Sequence, residues 1–192
     1  MLRIIAGQAR GQRLRTPKGS GTRPTSERVR EALFNILGPR VIEALFLDLF
    51  AGSGAVGLEA LSRGAKEAFF IEHDRRALSC LKANLQATGF NDRAHILAMD
   101  VRRALAELRR RDLVFDLIFV DPPYRMGWGD IILPAIVPLV LPAGLVIMET
   151  AAVEAVPENA DMKLTCRRIY GDTALNFYQR VGGLADGVSE PD

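Results

Sequence analysis

The chain has little of what metal- or disulfide-dependent proteins use. It holds two cysteines, Cys80 and Cys166, far apart and without CxxC spacing, and two histidines, His73 and His95. So few soft ligands speak against a zinc cluster, and no metal is expected. Unpaired thiols fit a reducing, cytoplasmic setting. No apolar run reaches the ~18 residues of a membrane span, so no membrane partner is expected. The start, MLRIIAGQARGQRLR, lacks the long apolar stretch of a secretory signal. It is arginine-rich and acid-poor, which leaves a transit peptide open. No long exposed apolar face stands out, which points to a monomer.

What the chain does have is one domain's worth of length, 192 residues, with 48% hydrophobic side chains to build a core. Its net charge of +2 is unevenly spread. Residues 1–30 carry eight basic side chains (Arg3, Arg10, Arg13, Arg15, Lys18, Arg23, Arg28, Arg30) against the single acid Glu27. That leaves 17 of the 25 basic and 22 of the 23 acidic side chains for the remainder. A basic arm on a mildly acidic body suits a polyanionic partner. Charge alone fits a solvated terminus equally well.

LRIIAG and GQRLRTP read as two short strands of a hairpin, and KGSGTRP as a loop. A helix follows, with Val29, Ala32, Leu33, Ile36 and Leu37 at helical spacing, Thr25 or Ser26 as cap, and Gly38-Pro39 as stop. From Leu45 strands and helices alternate. LFLDLF, EAFFIE, AHILAMD, FDLIFV and GLVIMET are strands, and the segments between them are helical, the last lying somewhere in 128–140. MKLTCRRIYG and ALNFYQRV close the chain as an antiparallel pair. The expected fold is therefore α/β: a Rossmann-like, mainly parallel seven-stranded sheet with helices on both faces, an antiparallel C-terminal edge and an N-terminal β-hairpin. The expected division is a basic arm over 1–24, a catalytic domain over 25–182, and a loose tail over 183–192.

In such sheets ligands bind beyond the carboxyl ends of the strands. Asp48, Glu72, Asp100, Asp121 and Glu149 all fall there. The first loop, DLFAGSGAVG, places Gly52, Gly54 and Gly57 in G-x-G-x-x-G order, and Glu72 stands twenty residues after Gly52. Glycines admit a close ligand, and a carboxylate at that spacing can accept from both hydroxyls of a ribose. NAD, flavin and S-adenosylmethionine all suit this pattern. Asp48 separates them: a carboxylate four residues before Gly52 repels a pyrophosphate and attracts the ammonium of a methionine moiety. Asp100 can accept from an adenine amine or cap the helix after it, and the two roles are compatible.

The fourth strand ends in Asp121-Pro122-Pro123-Tyr124. An exocyclic base amine is a poor nucleophile because its lone pair is shared with the ring. Two acceptors, the Asp121 carboxylate and the Pro122 carbonyl, can grip its hydrogens and favour a tetrahedral nitrogen. The prolines aim that carbonyl in advance, and Tyr124 offers a stacking face. The target base must leave its stack to reach such a pocket. These residues point to a base-amino methyltransferase.

DLFAGSGAVGLEALSRGA with IFVDPPY resembles the class I S-adenosylmethionine-dependent methyltransferases that act on base amines. RIIAGQARGQRLRTP followed by TRPTSERVREALFNIL resembles the ribosomal small subunit methyltransferase D family, from about Arg3 to Arg180. The resemblance implies guanine-N2 methylation at one site of 16S rRNA, on the 30S subunit or its assembly intermediate, with S-adenosylhomocysteine as co-product. It implies that Asp121, Pro122, Pro123 and Tyr124 hold the amine. Asp48, Phe50, Ala51, Gly52, Ser53 and Gly54 would hold the methionine and ribose side, Glu72 with His73 the ribose, and Asp100 with Val101 the adenine. Arg23 and Thr25 would close over the cofactor. Arg3, Arg10, Arg13 and Arg15 would meet RNA phosphates. A DNA or other RNA adenine-N6 methyltransferase shares the tetrad and is the alternative. A nucleotide-dependent dehydrogenase and a non-catalytic RNA-binding shell are further rivals, disfavoured by Asp48 and the tetrad.

Overall fold

Both faces of the sheet are apolar along every central strand, and that pattern decides the layering. The computed structural model describes residues 2–17, 26–123 and 128–182. Among these residues seven strands form one sheet: β1 (Leu45–Asp48), β2 (Glu67–Glu72), β3 (Ala94–Ala98), β4 (Phe115–Val120), β5 (Val140–Ala151), β6 (Met162–Tyr170) and β7 (Thr173–Arg180). Their order is β3-β2-β1-β4-β5-β7-β6. The first five pair in parallel, while β7 runs antiparallel to both β5 and β6. Among the described residues five α-helices accompany them: α1 (Glu27–Leu37), α2 (Ala55–Ser62), α3 (Arg75–Thr88), α4 (Val101–Arg110) and α5 (Trp128–Ile136).

Successive strand residues point to opposite faces. Phe46, Phe70, Leu117, Phe119 and Ile147 share one core with Leu33 and Phe34 of α1, Leu58 and Leu61 of α2, and Leu81 and Leu85 of α3. Their neighbours Leu47, Ile71, Ile118, Val120 and Met148 share the other with Leu105 and Leu108 of α4 and Ile132, Leu133 and Ile136 of α5. The helix ends follow local chemistry. Ser26 accepts from Val29 N at 3.2 Å, and Asp74 accepts from Arg76 N and Ala77 N. Gly38 and Gly89 end α1 and α3. Each acceptor cap stabilises its helix by about 1 kcal/mol.

The N-terminal hairpin is present but short: one antiparallel bridge, Arg3↔Arg13, with Ile4 N bonded to Gln12 O, Gly11 N to Ile4 O and Leu14 N to Leu2 O. Several of the arm's other backbone groups turn to side chains of the body instead of to a partner strand. The fifth strand starts at Val140, before GLVIMET, because Val140 pairs with Phe115 across a bulge. The loop KGSGTRP and the tail 183–192 lie outside the described residues.

Candidate active site

Strand order creates the site. After β1 the chain moves outward to β2 and β3, then returns to β4 on the other side of β1. A crevice opens where the order reverses, between the carboxyl ends of β1 and β4. Asp48 is registered against Phe119, and Leu49 N bonds to Phe119 O at 3.0 Å. Asp121 is therefore two residues beyond a direct backbone partner of the glycine loop.

The three glycines of that loop have different surroundings. A Cβ at Gly52 would meet nothing within 4 Å, so its face is open among the described residues. A Cβ at Gly54 would lie 2.3 Å from Leu81, and one at Gly57 2.3 Å from Phe70. Two glycines thus let α2 pack closely, and one leaves room above the loop. Gly54 caps α2 without a side chain. Asp48 supplies the missing acceptor from the strand: its Oδ2 takes the N–H of Gly57 at 3.1 Å. Asp48 is 2% exposed, and burial pushes its carboxyl up to about 7. The Gly57 N–H opposes that rise, and the nearby Glu72 charge adds to it.

Glu72, at the end of β2, is bound on both oxygens. Oε2 accepts from Gly52 N at 2.9 Å; Oε1 accepts from His73 N at 2.7 Å and Asp74 N at 2.8 Å. The carboxylate so joins the glycine loop to the start of α3. The loop is further set by Ala51 N on Ile71 O and Gly54 N on Ala51 O. Phe50 is half-buried, Ser53 is buried, and the His73 ring is largely exposed. Asp100 caps α4 through Arg102 N at 2.9 Å while remaining exposed, and Val101 beside it is buried.

Pro122 and Pro123 line a small recess with Trp128, Gly129, Met148 and Glu149. Phe50 meets Trp128 edge-on at 5.6 Å, so the glycine loop and the recess share a wall. Behind it, Asn176 donates to Met148 O and Thr150 Oγ1, and Tyr178 donates to Pro157 O at 3.0 Å. Burial pushes the Tyr178 phenol up to about 12. Tyr124, Arg23 and Thr25 lie outside the described residues. Among the described residues no group of three or more His, Cys, Asp or Glu could hold a metal, and no helix is long and apolar enough to cross a membrane.

Arg3, Arg10, Arg13 and Arg15 are all exposed, with Arg3 3.5 Å from Glu27. Arg30, counted above with the basic arm, is fully buried and belongs to the body. It faces Glu59 at 3.6 Å and donates to Arg3 O. Burial lowers its pKa, and Glu59 opposes the shift. Glu59 also takes Ile5 N, Ala6 N and Arg63 Nε. Ser62 Oγ takes Ala9 N and donates to Ala6 O. At Gly7 a Cβ would come within 1.9 Å of Ser62 O, so only glycine permits this approach. Asn84 holds Arg15 through both its N–H and its carbonyl. The sequence reading missed Glu59, Ser62, Asn84, Trp128 and the buried state of Glu149. The available signal was a polar residue on an otherwise apolar helix face, as Asn84 is beside Ala77, Leu81 and Leu85.

The family profile described as conserved hypothetical protein 95 matches residues 2–179. Ribosomal RNA small subunit methyltransferase D of Escherichia coli K12 is 39% identical over 198 aligned residues, covering 100% of this chain and 94% of that protein. The Haemophilus influenzae protein of the same name is 39% identical over 130 residues, 67% of each chain. A solved hypothetical protein from Thermus thermophilus superposes with a TM-score of 0.81 at 36% identity, over 94% of this chain and 100% of that one. The SMU.776 structure, complexed with SAH, shares the fold at TM-score 0.66 and 18% identity, over 80% of this chain and 48% of that one. With a switch-point crevice, a glycine loop and Asp-Pro-Pro at its lip, the chain belongs to the conserved hypothetical protein 95 family, in the ribosomal small subunit methyltransferase D group of the Rossmann-like class I methyltransferases.

Proposed function

We propose that this protein transfers a methyl group from S-adenosylmethionine to the N2 amine of one guanine in 16S rRNA, acting as a cytoplasmic monomer on the 30S subunit or its assembly intermediate. The observation that carries this reading is the Leu49 N–Phe119 O bond, which sets the glycine loop beside Asp121-Pro122-Pro123. The residues present fit the cofactor. Gly52 leaves an open face, Glu72 supplies a carboxylate at the ribose position, Asp48 sets a carboxyl beneath the loop, and Asp100 stands exposed at the next strand end. The cofactor supplies a methyl group already activated on a sulfonium.

The chain's own residues position and deprotonate. The Asp121 carboxylate and the Pro122 carbonyl accept the two hydrogens of the amine, turning its lone pair towards the methyl carbon. Proximity and alignment then supply much of the rate. On accepting the sulfonium's methyl group the amine nitrogen would become cationic, and the Asp121 carboxylate would take its proton, with the thioether as co-product. Tyr124 stacks on the flipped base. Arg23 and Thr25 close over the cofactor, and Phe50, Ala51, Ser53, Gly54, His73 and Val101 complete its walls. The arm over 1–24 contacts RNA through Arg3, Arg10, Arg13 and Arg15; residues 25–182 carry the chemistry, and 183–192 form a tail.

Asp121→Ala tests the roles. Methyl transfer should fall by about 100-fold or more, while titration with S-adenosylhomocysteine gives an unchanged affinity. Transfer that survives the substitution would contradict this assignment.

A further inference from the structure

We propose that Asn84 is a positioning residue that couples the basic arm to the glycine loop, so that ordering one orders the other. The proposal rests on the reading of that loop as the cofactor site. Asparagine is a poorer helix former than alanine, and a buried amide is costly unless bonded. Asn84 is 1% exposed in the body of α3, on the face formed by Ala77, Leu81 and Leu85. Its bonds account for its presence. Oδ1 accepts from Arg15 N at 2.7 Å. Nδ2 donates to Arg15 O at 3.0 Å and to Ser53 O at 2.9 Å.

Both Nδ2 hydrogens are used, and they join two segments far apart in sequence. On one side Asn84 grips both backbone polar groups of Arg15, as a neighbouring strand would. On the other it fixes the carbonyl of Ser53, the residue between Gly52 and Gly54. The loop's other bonds run to Ile71, Glu72, Ala51, Leu58 and Phe119, all within the body. The arm's other fastenings, at Glu59 and Ser62 of α2, at Glu27 and Arg30 of α1 and at Arg93, do not reach the loop. Asn84 is thus the side chain among the described residues that bonds arm and loop together.

A ligand that orders the Ser53 carbonyl orders the Asn84 amide and, through it, the Arg15 backbone. An RNA phosphate holding the exposed Arg15 side chain acts in the reverse direction. Coupling between two sites is reciprocal, so each ligand raises affinity for the other by one common factor.

Hydrogen exchange read by mass spectrometry, with and without saturating S-adenosylhomocysteine, tests this without RNA. In the unaltered protein the ligand should slow exchange in the loop, and slow the amides near Arg15 by about 5-fold. Asn84→Asp keeps the acceptor for Arg15 N but removes both donations. It should keep ligand-dependent slowing in the loop and lose it in the arm. Should that variant fail to fold, Asn84→Ala serves the same comparison without adding a charge. Ser62→Ala separates coupling from simple loosening. It frees another part of the arm, so arm exchange should rise without ligand, yet the ligand-dependent slowing at Arg15 should persist. Arm slowing absent from the unaltered protein, or retained in the Asn84 variants, overturns the proposal. Absence of any ligand binding would show instead as an unprotected loop, and would overturn the cofactor reading along with it.

Discussion

At the residue scale, Asp48 illustrates how a motif position can hold two roles. Its carboxyl takes the Gly57 N–H that Gly54 cannot cap, and it lies buried beneath the loop assigned to the cofactor. Its ordinary value near 3.8 is raised to about 7 in the fold. The folded state therefore keeps a proton that the unfolded chain has released. Stability from this group is fully present below about 3.8 and is lost as pH rises to about 7. Asp48→Asn cannot ionise and should remove that dependence. Urea denaturation at pH 5 and pH 7.5 should show the unaltered protein losing stability relative to the asparagine variant. A difference between the two proteins that does not change with pH would contradict this. The sequence placed Asp48 at the strand tip. It could not show the Gly57 bond, because a strand residue capping a helix is a tertiary arrangement that no local pattern encodes.

At the scale of elements, the arm's hairpin was legible and its fastening to the body was not. Its glycines and strand-like segments read as a hairpin, and the Arg3↔Arg13 bridge with its flanking bonds forms a short one. Glu59, Ser62 and Asn84 take further backbone groups of the arm. These partners are more than fifty residues away in the chain, beyond the reach of periodicity. Glu59 also faces the fully buried Arg30. Removing one partner of a buried pair costs about 3–5 kcal/mol. Glu59→Ala should lower unfolding stability in urea by about that amount. A loss under about 1 kcal/mol, the value of an exposed pair, would show that Arg30 needs no partner. The exposed arginines predict a different phenotype. Charge-neutral changes at Arg10 and Arg13 should weaken RNA-particle binding and flatten its salt dependence, while calorimetry with S-adenosylhomocysteine stays unchanged. With several phosphate contacts, affinity of the unaltered protein should drop about 10³-fold from low to moderate salt. Equal loss of RNA and cofactor binding in the variants would refute that division of labour. Helix capping was far easier to read: Asp74, Asp100 and Ser26 act within three residues of their own position.

At the scale of the whole molecule, strand order is what joins two motifs that the chain keeps apart. DLFAGSG and DPP stand about seventy residues from each other in sequence, yet β1 and β4 are direct neighbours. The alternation of strands and helices was legible, because apolar residues on both faces mark a covered parallel sheet. The adjacency of β1 and β4 was legible only through the resemblance to a known family. The recess beside Pro122 was not legible at all, since Trp128 of α5 and Met148 and Glu149 of β5 converge on it from elements apart in the chain. The central claim is that this crevice methylates a guanine amine of small-subunit RNA. Its most direct test is transfer of tritiated methyl from S-adenosylmethionine to 30S particles lacking the modification, to naked 16S RNA and to duplex DNA, with the labelled nucleoside identified. The account predicts N2-methylguanosine at one site of 16S RNA. Label on adenine N6, or transfer to duplex DNA with none to the particle or its RNA, would contradict it.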